Sequence, residues 1–399
     1  MQNNLFILFG ATGDLSREKL FKALLAYYRK NKGNITVLAV SRRPYTDVDF
    51  RNFIQEYVDG AERDEFLENV FYVSGTFEQK ETYQKVKEFI TNHSFENISA
   101  YLAVSPTYFE TIIDHGFEAG LWKTDAHTHV LIEKPYAHTV AEFESLMKTV
   151  DRCLRDNAFL VDHYLAKAPM LDIGSFLKGQ NIGESKGLRN IEITLFENND
   201  VEKRGSYYDV VGAFIDVGAN HMLQMLASVF ALDENSTQRK LQKVELLESL
   251  LIDAGRSEKF QYEGYRDIEN VAPDSRTETA FKIYLTSSHP LLKNTEIVLV
   301  GGKGFDRYEN TLTMTGVNGE QLVMSLKPEQ YLSYGDVKKT YEHVPDAYEV
   351  LVEKSFTEDS MCFVTRDEVR AEWRIIRDLQ DAWLKKEPES YTKNTKPFI

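Results

Sequence analysis

A short glycine-containing turn near the start of the chain has the residue types that bind phosphate groups. It reads Gly10-Ala11-Thr12-Gly13-Asp14-Leu15 and lies between an apolar run and a helical pattern. Glycine permits a tight turn and a close backbone approach, and the N-terminus of the next helix offers free N–H groups to a pyrophosphate. The turn is not a complete G-x-G-x-x-G motif. We predict a dinucleotide-binding turn, with an ordinary strand-to-helix turn as the alternative.

The residues that follow the second apolar run indicate which dinucleotide binds. Sites specific for NAD usually have an acidic residue there, which binds the ribose 2′-hydroxyl. This chain has Ser41, Arg42 and Arg43 instead. A hydroxyl and two guanidinium groups suit a 2′-phosphate, so the pattern favours NADP over NAD. The alternative is a solvated basic loop that Asp47 and Asp49 neutralise.

Alternating strand and helix patterns surround these residues in the first part of the chain. Helical spacing of apolar residues covers Arg17–Asn31, Val48–Val58 and Thr139–Leu154. Runs of strand length are Leu5–Phe9, Ile35–Val40, Val70–Ser74, Ile98–Val104, His129–Ile132 and Phe159–Leu165. This alternation predicts a Rossmann-type, doubly wound parallel sheet, which we assign to a dinucleotide-binding domain over residues 1–168.

The rest of the chain has a different pattern. A long helical segment, Val210–Phe230, precedes strand-like runs with few helices between them. Together with an earlier run, these are Gly187–Glu197, Thr279–Leu285, Thr295–Val300 and Glu320–Leu326. We predict an α+β domain with helices and a large, mostly antiparallel sheet over residues 169–399.

Composition excludes several classes of protein. The chain has 62 acidic and 47 basic residues and a formal net charge of −15, which argues against nucleic acid or an anionic membrane as partner. Its two cysteines, Cys153 and Cys362, lie far apart, so neither a disulfide framework nor a cysteine-rich metal site is expected. The apolar stretch Leu5–Ala11 is too short for a signal peptide or a membrane span. We expect a cytoplasmic protein without a metal site.

Several motifs in the same order resemble those of the glucose-6-phosphate dehydrogenase family, and the resemblance covers essentially the whole chain. Besides the glycine turn and Arg42, they are Glu133-Lys134-Pro135, Asp162-His163-Tyr164-Leu165-Ala166-Lys167, Arg204-Gly205-Ser206-Tyr207-Tyr208-Asp209, Asp216 with Asn220-His221, Gly302-Lys303 and Pro345-Asp346-Ala347-Tyr348-Glu349. The D-H-Y-L-x-K and N-H segments are the more specific ones, whereas E-K-P also occurs elsewhere. The resemblance implies a Rossmann domain followed by a large antiparallel sheet that mediates homodimers.

The resemblance also implies residue roles. His221 would take the proton from the C1 hydroxyl of the sugar, and Asp162 would hold its imidazole. His163, Tyr164 and Lys167 would grip the substrate phosphate.

Further roles concern the sugar and the coenzyme. Lys134 would contact both of them, and Tyr101 would lie along the coenzyme. Glu197, Asp216 and Lys303 would bind sugar hydroxyls or phosphate.

These roles agree with the chemistry of alcohol oxidation. A base must accept the hydroxyl proton while hydride leaves for the nicotinamide, and a carboxylate makes a histidine more basic. His163 and Lys167, four residues apart, together with Lys134 supply cations for a phosphate dianion. The expected reaction is the NADP-dependent oxidation of glucose 6-phosphate, or a closely related hexose 6-phosphate, to the 6-phospho-lactone. That is the first step of the oxidative pentose phosphate pathway.

The chain departs from the family pattern beside the site. Ala166 and Ala168 flank Lys167 where the family has glycine and glutamate, and Ile215 replaces an arginine. Val300 replaces another arginine, which argues against a second, structural NADP site. Arg307 would replace a basic residue that contacts substrate, with a spacing that differs by one. These changes bear on the exact sugar more than on the dehydrogenation.

Two other functions are compatible with parts of the pattern. An oxidoreductase of the inositol or glucose–fructose type also has E-K-P after a Rossmann strand and would use Lys134 as its main catalytic group. A non-catalytic relative would bind NADP or a sugar phosphate as a sensor. The D-H-Y-L-x-K motif argues against the first function, and His221 with Asp162 argues against the second.

Overall fold

The computed structural model describes residues 3–123, 127–179, 187–357 and 359–397. They form two compact units, one of residues 1–166 with Pro345–Val364 and one of residues 167–344 with those from Thr365 onward. The boundary predicted from the sequence is a single one, after residue 168. In the structure the later segment Pro345–Val364 comes back to the first unit, so this unit consists of two separate segments of the chain, which a single boundary does not describe.

The strands are numbered along the described part of the chain. They are β1 (Asn4–Phe9), β2 (Ile35–Ser41), β3 (Val70–Ser74), β4 (Asn97–Leu102), β5 (Thr128–Glu133), β6 (Ala158–Val161), β7 (Leu188–Phe196), β8 (Leu250–Ile252), β9 (Glu258–Tyr262), β10 (Ala280–Ser287), β11 (Glu296–Gly302), β12 (Glu309–Gly316), β13 (Gln321–Lys327), β14 (Tyr331–Tyr334), β15 (Val337–Thr340), β16 (Phe363–Val364) and β17 (Glu389–Tyr391).

The α-helices are numbered in the same way. They are α1 (Phe21–Lys30), α2 (Asp47–Ile54), α3 (Arg63–Glu68), α4 (Lys80–Asn92), α5 (Phe109–Glu118), α6 (Val140–Cys153), α7 (Ala168–Gly179), α8 (Gly205–Ala213), α9 (Leu223–Phe230), α10 (Ser236–Ser249), α11 (Ala347–Lys354) and α12 (Arg366–Trp383). Two π-helical stretches, Ser16–Leu20 and Phe214–Met222, continue directly into α1 and α9.

The first unit contains a seven-stranded sheet in the order β16-β6-β5-β4-β1-β2-β3. All its pairings are parallel except that of β16 with β6. The strands β1, β4 and β5 are buried along their whole length, as parallel strands covered on both faces are. The predicted Rossmann-type sheet is confirmed.

The core of the first unit includes side chains from the returning segment. Tyr348, Leu351 and Val352 of α11 and Phe363 of β16 belong to the same buried cluster as Phe6. Residues far apart in the sequence therefore complete this core.

One predicted strand of the first unit, Phe159–Leu165, is too long. The strand β6 ends at Val161, and His163–Ala166 forms a short 3-10 helix. The change occurs where an Asp162 side-chain oxygen accepts a hydrogen bond from the Tyr164 backbone N–H, at 2.9 Å. Such a local side-chain bond competes with the strand ladder and turns the chain.

The second unit contains a ten-stranded, mostly antiparallel sheet, as predicted. Its order is β15-β14-β13-β12-β7-β11-β10-β9-β17, with β8 also paired to β10. Two pairings are parallel, that of β11 with β7 and that of β17 with β9. The parallel pair of β7 and β11 brings the ends of both strands to one edge.

One helical stretch of the second unit is long and mostly apolar. Among the described residues, Gly205–Phe230 alone has the length and composition to cross a membrane, and 89% of its most apolar window is buried in the protein. A mostly apolar helix that is buried in this way is typical of the core of a large domain.

Candidate functional site

The glycine turn follows β1 directly and is shaped by a positive backbone angle. Gly10 has φ of +84°, and a Cβ atom there would lie 2.2 Å from the Ala103 carbonyl oxygen. Its N–H donates to Val40 O at 3.0 Å, and the Gly13 N–H donates to Gly10 O at 2.9 Å. Only glycine fits at position 10, and the backbone leads straight into the helix. This cradle suits the pyrophosphate of a dinucleotide.

The turn is joined to the end of β2, where the predicted 2′-phosphate site lies. The hydroxyl groups of Thr12 and Ser41 are hydrogen-bonded at 2.8 Å. Arg42 and Arg43 follow and are both exposed, and the Arg43 guanidinium lies 5.2 Å from the centre of the Phe53 ring. The two arginines therefore differ in their surroundings, because the Arg43 guanidinium packs on the Phe53 ring.

The two aspartates that could neutralise these arginines are engaged elsewhere. Asp47 accepts a hydrogen bond from the Tyr72 backbone N–H at 2.7 Å. Asp49 forms a capping box with Thr46 at the start of α2, and those hydrogen bonds lower the pKa of Asp49. Within the described ranges, Arg42 forms no ion pair. This environment favours an anionic ligand over a self-neutralised loop.

Tyr101 lies on β4, and Lys134 directly follows the neighbouring strand β5. Tyr101 is fully buried, and its hydroxyl donates a hydrogen bond to the carboxylate of Glu133, the last residue of β5. Lys134 follows and is half-buried. Burial raises the pKa of Glu133 to about 7, although the Tyr101 hydrogen bond and Lys134 act to lower it.

The D-H-Y segment follows β6. Asp162 is fully buried and accepts the Tyr164 N–H described above. The His163 ring stacks on Tyr348 of α11, with centroids 5.3 Å apart and planes 16° apart, and meets the Tyr164 ring edge-on. The returning segment therefore helps to orient the histidine that we expect at the substrate phosphate.

The predicted helix Val210–Phe230 is broken near its start in the structure. Gly212 has φ of +71°, and the following π-helical stretch carries Asp216, Asn220 and His221. His221 is 2% exposed, and its backbone N–H donates to the Asn220 side-chain oxygen at 2.8 Å. A π-helical insertion of this kind is frequent at functional sites.

Three predicted substrate residues come together in the second unit. Glu197 and Lys303 directly follow the paired residues Phe196 of β7 and Gly302 of β11. The Lys303 ammonium forms an ion pair with Glu197 and lies 3.5 Å from an Asp216 oxygen. Burial acts to lower the pKa of Lys303, but the two carboxylates outweigh it, so this pKa is raised. The lysine stays charged in a nearly closed environment.

Two predicted substrate-binding residues remain, Arg307 and Lys167. Arg307 is exposed, and its ion pairs are with Asp306 at 2.9 Å and Glu309 at 3.7 Å, outside the Glu197–Lys303–Asp216 cluster. Lys167 is half-buried at the start of α7, where its carbonyl oxygen accepts the Leu171 N–H.

Three contributors to the site were not predicted from the sequence. Glu133 was treated only as part of E-K-P, although a carboxylate at the end of a buried strand calls for a partner. Tyr348 was noted only within a family motif. Tyr208 is 1% exposed, its hydroxyl has no hydrogen-bond partner among the described residues, and Lys303 lies 5.6 Å from its ring centre.

Comparison with protein-family models gives two matches that together cover most of the chain. Residues 7–171 match the model described as "Glucose-6-phosphate dehydrogenase, NAD binding domain". Residues 180–315 and 312–397 match "Glucose-6-phosphate dehydrogenase, C-terminal domain".

Individual proteins are similar over nearly the full length. The glucose-6-phosphate 1-dehydrogenase of Cyberlindnera jadinii is 24% identical, over 98% of this chain and 91% of its own. That of Borreliella burgdorferi is 26% identical, over 94% and 91%. A solved structure of glucose-6-phosphate dehydrogenase in complex with glucose 6-phosphate has a TM-score of 0.90 at 22% identity and covers 99% of this chain and 95% of its own. At that identity the structural likeness concerns the fold.

Proposed function

Because the chain belongs to the glucose-6-phosphate dehydrogenase family, we propose that it oxidises glucose 6-phosphate, or a closely related hexose 6-phosphate, at C1 to the 6-phospho-lactone. The observation that carries this proposal is the cluster of the half-buried Glu197 with the buried Lys303 and Asp216, in the unit that also holds His221. Carboxylates and an ammonium group in a nearly closed environment are suited to the hydroxyl groups of a sugar.

The proposed chemistry divides between His221 and the coenzyme. The C1 hydroxyl proton passes to the imidazole of His221, and Asp162 orients that imidazole. The C1–O bond becomes the lactone carbonyl as the C1 hydrogen leaves as hydride. The coenzyme nicotinamide, when bound, accepts that hydride. The family assignment favours this scheme over chemistry centred on Lys134.

We propose NADP as the coenzyme. The Gly10 cradle supports a dinucleotide, since a Cβ atom would fill the space against Ala103. The exposed Arg42, with Asp47 and Asp49 engaged elsewhere, supports a ligand that carries a 2′-phosphate. Lys134 would then lie where both coenzyme and substrate reach it.

We propose that His163, Tyr164 and Lys167 bind the substrate phosphate. Stacking on Tyr348 supports this role for His163 because it fixes the plane of the ring. A ring N–H of His163, the Tyr164 hydroxyl and the Lys167 ammonium group supply hydrogen-bond donors that a phosphate dianion requires.

We also propose a homodimer in the cytoplasm, on the resemblance to the family. Two buried free thiols, Cys153 and Cys362, are consistent with a reducing compartment. Sedimentation velocity measures the assembly directly, and a monomer at micromolar concentration would contradict the dimer.

The decisive experiment is a substrate panel. Hexose 6-phosphates and free hexoses are each supplied with NADP and with NAD, and the absorbance of the reduced coenzyme is followed. We expect the highest kcat/KM for glucose 6-phosphate with NADP. Calorimetric binding of glucose 6-phosphate without any turnover would instead identify a non-catalytic relative.

A further inference from the structure

The backbone of Lys303 is held by hydrogen bonds on both sides of the residue. Its N–H donates to the Thr279 carbonyl oxygen at 3.0 Å. Its carbonyl oxygen accepts a hydrogen bond from the Tyr391 hydroxyl at 2.7 Å. Tyr391 is the last residue of β17 and is 8% exposed. A buried phenol from a strand late in the chain therefore reaches the lysine that we expect at the sugar.

The Tyr391 hydroxyl belongs to a chain of hydrogen bonds that has a defined direction. A phenol carries one hydrogen, and Tyr391 donates it to Lys303. The 2.9 Å bond between the hydroxyls of Tyr391 and Thr279 therefore uses the hydrogen of Thr279. The Thr279 hydroxyl oxygen in turn accepts the Tyr262 backbone N–H at 2.9 Å. These bonds fix Tyr391 as the donor to Lys303.

The residues after Tyr391 run beside the residues after Lys303. We call residues 391–395 the strap and residues 303–306 the lysine loop. Two further bonds join them, each from a backbone N–H to a backbone carbonyl oxygen: Asn394 to Gly304 at 2.7 Å and Asp306 to Thr395 at 3.1 Å. The strap thus holds the lysine loop at three places.

Phe305 extends this hold to a second residue of the sugar cluster. Its ring stacks on the Tyr391 ring, with centroids 5.3 Å apart and planes 12° apart. Its backbone N–H donates to the Glu197 carbonyl oxygen at 3.0 Å. Both partners of the Glu197–Lys303 ion pair are therefore tied to the strap through their backbones.

We propose that the strap is a positioning element of the sugar site and that Tyr391 is a positioning residue for Lys303. This inference rests on the proposed function, in which Glu197, Lys303 and Asp216 bind the sugar. The Lys303 ammonium lies between two carboxylates, but its flexible four-carbon stem does not fix its place by itself. The strap fixes the backbone from which that side chain leaves.

The location of the strap separates its effects on sugar and coenzyme. The strap and the sugar cluster belong to the second unit, whereas the Gly10 cradle belongs to the first. Without the Tyr391 hydroxyl, the buried Lys303 carbonyl oxygen loses its donor, so the lysine loop moves to find another partner. Affinity for the sugar phosphate should fall, and affinity for the coenzyme should not.

The test is Tyr391→Phe, which removes the hydroxyl and keeps the ring that stacks on Phe305. KM for glucose 6-phosphate should rise roughly threefold to tenfold, the effect of one hydrogen bond. KM for NADP should stay unchanged, and kcat should change little, because Lys303 holds the sugar without taking a proton or a hydride. A bond that only stabilised the fold would lower the free energy of unfolding and leave this ratio of KM values unaltered.

The matched control is Tyr265→Phe. Tyr265 is also a buried tyrosine of the second unit, and its hydroxyl donates to the Asp209 carboxylate at 3.0 Å. That carboxylate also accepts the Ala272 N–H at 3.0 Å, so it keeps a donor in the variant. The control should lose stability but keep both KM values.

A second pair of variants addresses the strap at Asn394. This residue has φ of +60°, which asparagine and glycine adopt and a β-branched residue does not. Asn394→Val should therefore displace the N–H that binds Gly304 and raise KM for glucose 6-phosphate. Asn394→Gly keeps the backbone angle and should keep the KM of the wild type.

An active wild type whose KM for glucose 6-phosphate is unchanged in Tyr391→Phe overturns the inference alone, and so does an equal rise in KM for NADP. If Tyr391→Phe does not fold, equal KM values in Asn394→Val and Asn394→Gly overturn it.

Calorimetry separates this inference from the proposed function. If the wild type binds glucose 6-phosphate without turning it over, the proposed function fails, and the Kd of Tyr391→Phe decides the inference. A Kd equal to that of the wild type overturns it, and a Kd raised roughly threefold to tenfold supports it. A wild type that neither binds nor oxidises the sugar phosphate overturns both.

Discussion

The side-chain carboxylate of Glu278 accepts a hydrogen bond from the backbone N–H of Phe214, at 3.0 Å. Phe214 is the first residue of the π-helical stretch that carries Asp216 and His221. The Ala213 N–H donates to the Glu278 carbonyl oxygen at the same point, also at 3.0 Å. One residue thus satisfies two backbone donors at the start of the helix, where such donors lack partners within the helix.

Removing this side chain should therefore affect both stability and activity. We expect Glu278→Ala to lower the free energy of unfolding by about 1–3 kcal/mol, because the Phe214 N–H loses its acceptor. We expect Glu278→Gln to lower it less, since an amide oxygen still accepts. Chemical denaturation measures the loss, and Glu245→Ala on the exposed face of α10 is the control. Equal stability of Glu278→Ala and the wild type would contradict this role.

A second prediction concerns coenzyme choice. Arg42→Ala should raise KM for NADP by roughly tenfold to a hundredfold, the effect of losing hydrogen bonds between charged groups, and should leave KM for NAD nearly unchanged. Arg63→Ala is the control, because Arg63 is a half-buried arginine of the same unit whose ion pair is with the neighbouring Asp64. If KM rises equally for both coenzymes, Arg42 does not recognise the 2′-phosphate.

A third prediction concerns the substrate phosphate. Lys167→Ala should lower kcat/KM for the sugar phosphate far more than for the free sugar, because only the former carries the charge that the ammonium binds. Lys178→Ala, at the other end of α7, removes an exposed lysine paired with Glu234 and should have no such effect. A wild type that prefers the free sugar would show that the phosphate assignment is wrong.

A fourth prediction concerns the base. His221→Asn should lower kcat by roughly a hundredfold to ten-thousandfold, the usual contribution of a general base, with little change in substrate affinity. Asp162→Asn should cost less, because the asparagine oxygen still accepts the Tyr164 N–H and the residue orients the imidazole without taking the proton.

The pH profile provides the check on this assignment. Protonation of His221 removes the base, so activity falls on the acid side, and the step due to His221 should be absent in His221→Asn. The half-buried His289, whose ring nitrogen accepts a hydrogen bond from the Leu291 N–H, serves as control in the variant His289→Asn. Near-normal turnover in His221→Asn would favour chemistry centred on Lys134.

Strand positions in the first unit were largely predictable from the sequence. The predicted strand Val70–Ser74 is observed with those bounds, and Leu5–Phe9 differs from the observed β1 by one residue. Buried parallel strands are continuous apolar runs, and such runs are visible without an alignment.

The predicted strand Phe159–Leu165 and the predicted helix Val210–Phe230 were wrong where a side chain redirects the backbone. Asp162 ends β6 early through its bond to Tyr164, and Gly212 breaks the helix beside the carboxylate of Glu278. A Cβ atom at Gly212 would lie 2.5 Å from a Glu278 oxygen, a contact between residues 66 positions apart. Periodicity within a window carries no information about such distant partners.

The residue types of the site were predictable from the sequence, whereas the contacts between these residues were less predictable. The ion pair of Glu197 with Lys303 follows from the pairing of β7 with β11, which local patterns do not reveal. For Arg307 the residue type and spacing were misleading. It is a basic residue at nearly the expected spacing, but its ion pairs are with its neighbours Asp306 and Glu309.

The two-segment make-up of the first unit sets an order for events on the ribosome. The edge strand β16 and the buried Leu351 and Phe363 are translated after most of the second unit. A nascent chain that has reached only Val344 holds a Rossmann sheet without that edge strand, and part of its apolar core faces water or a chaperone. The coenzyme-binding half is therefore completed only once residue 364 has left the exit tunnel, and the second unit is completed later still, because it also contains the residues from Thr365 onward.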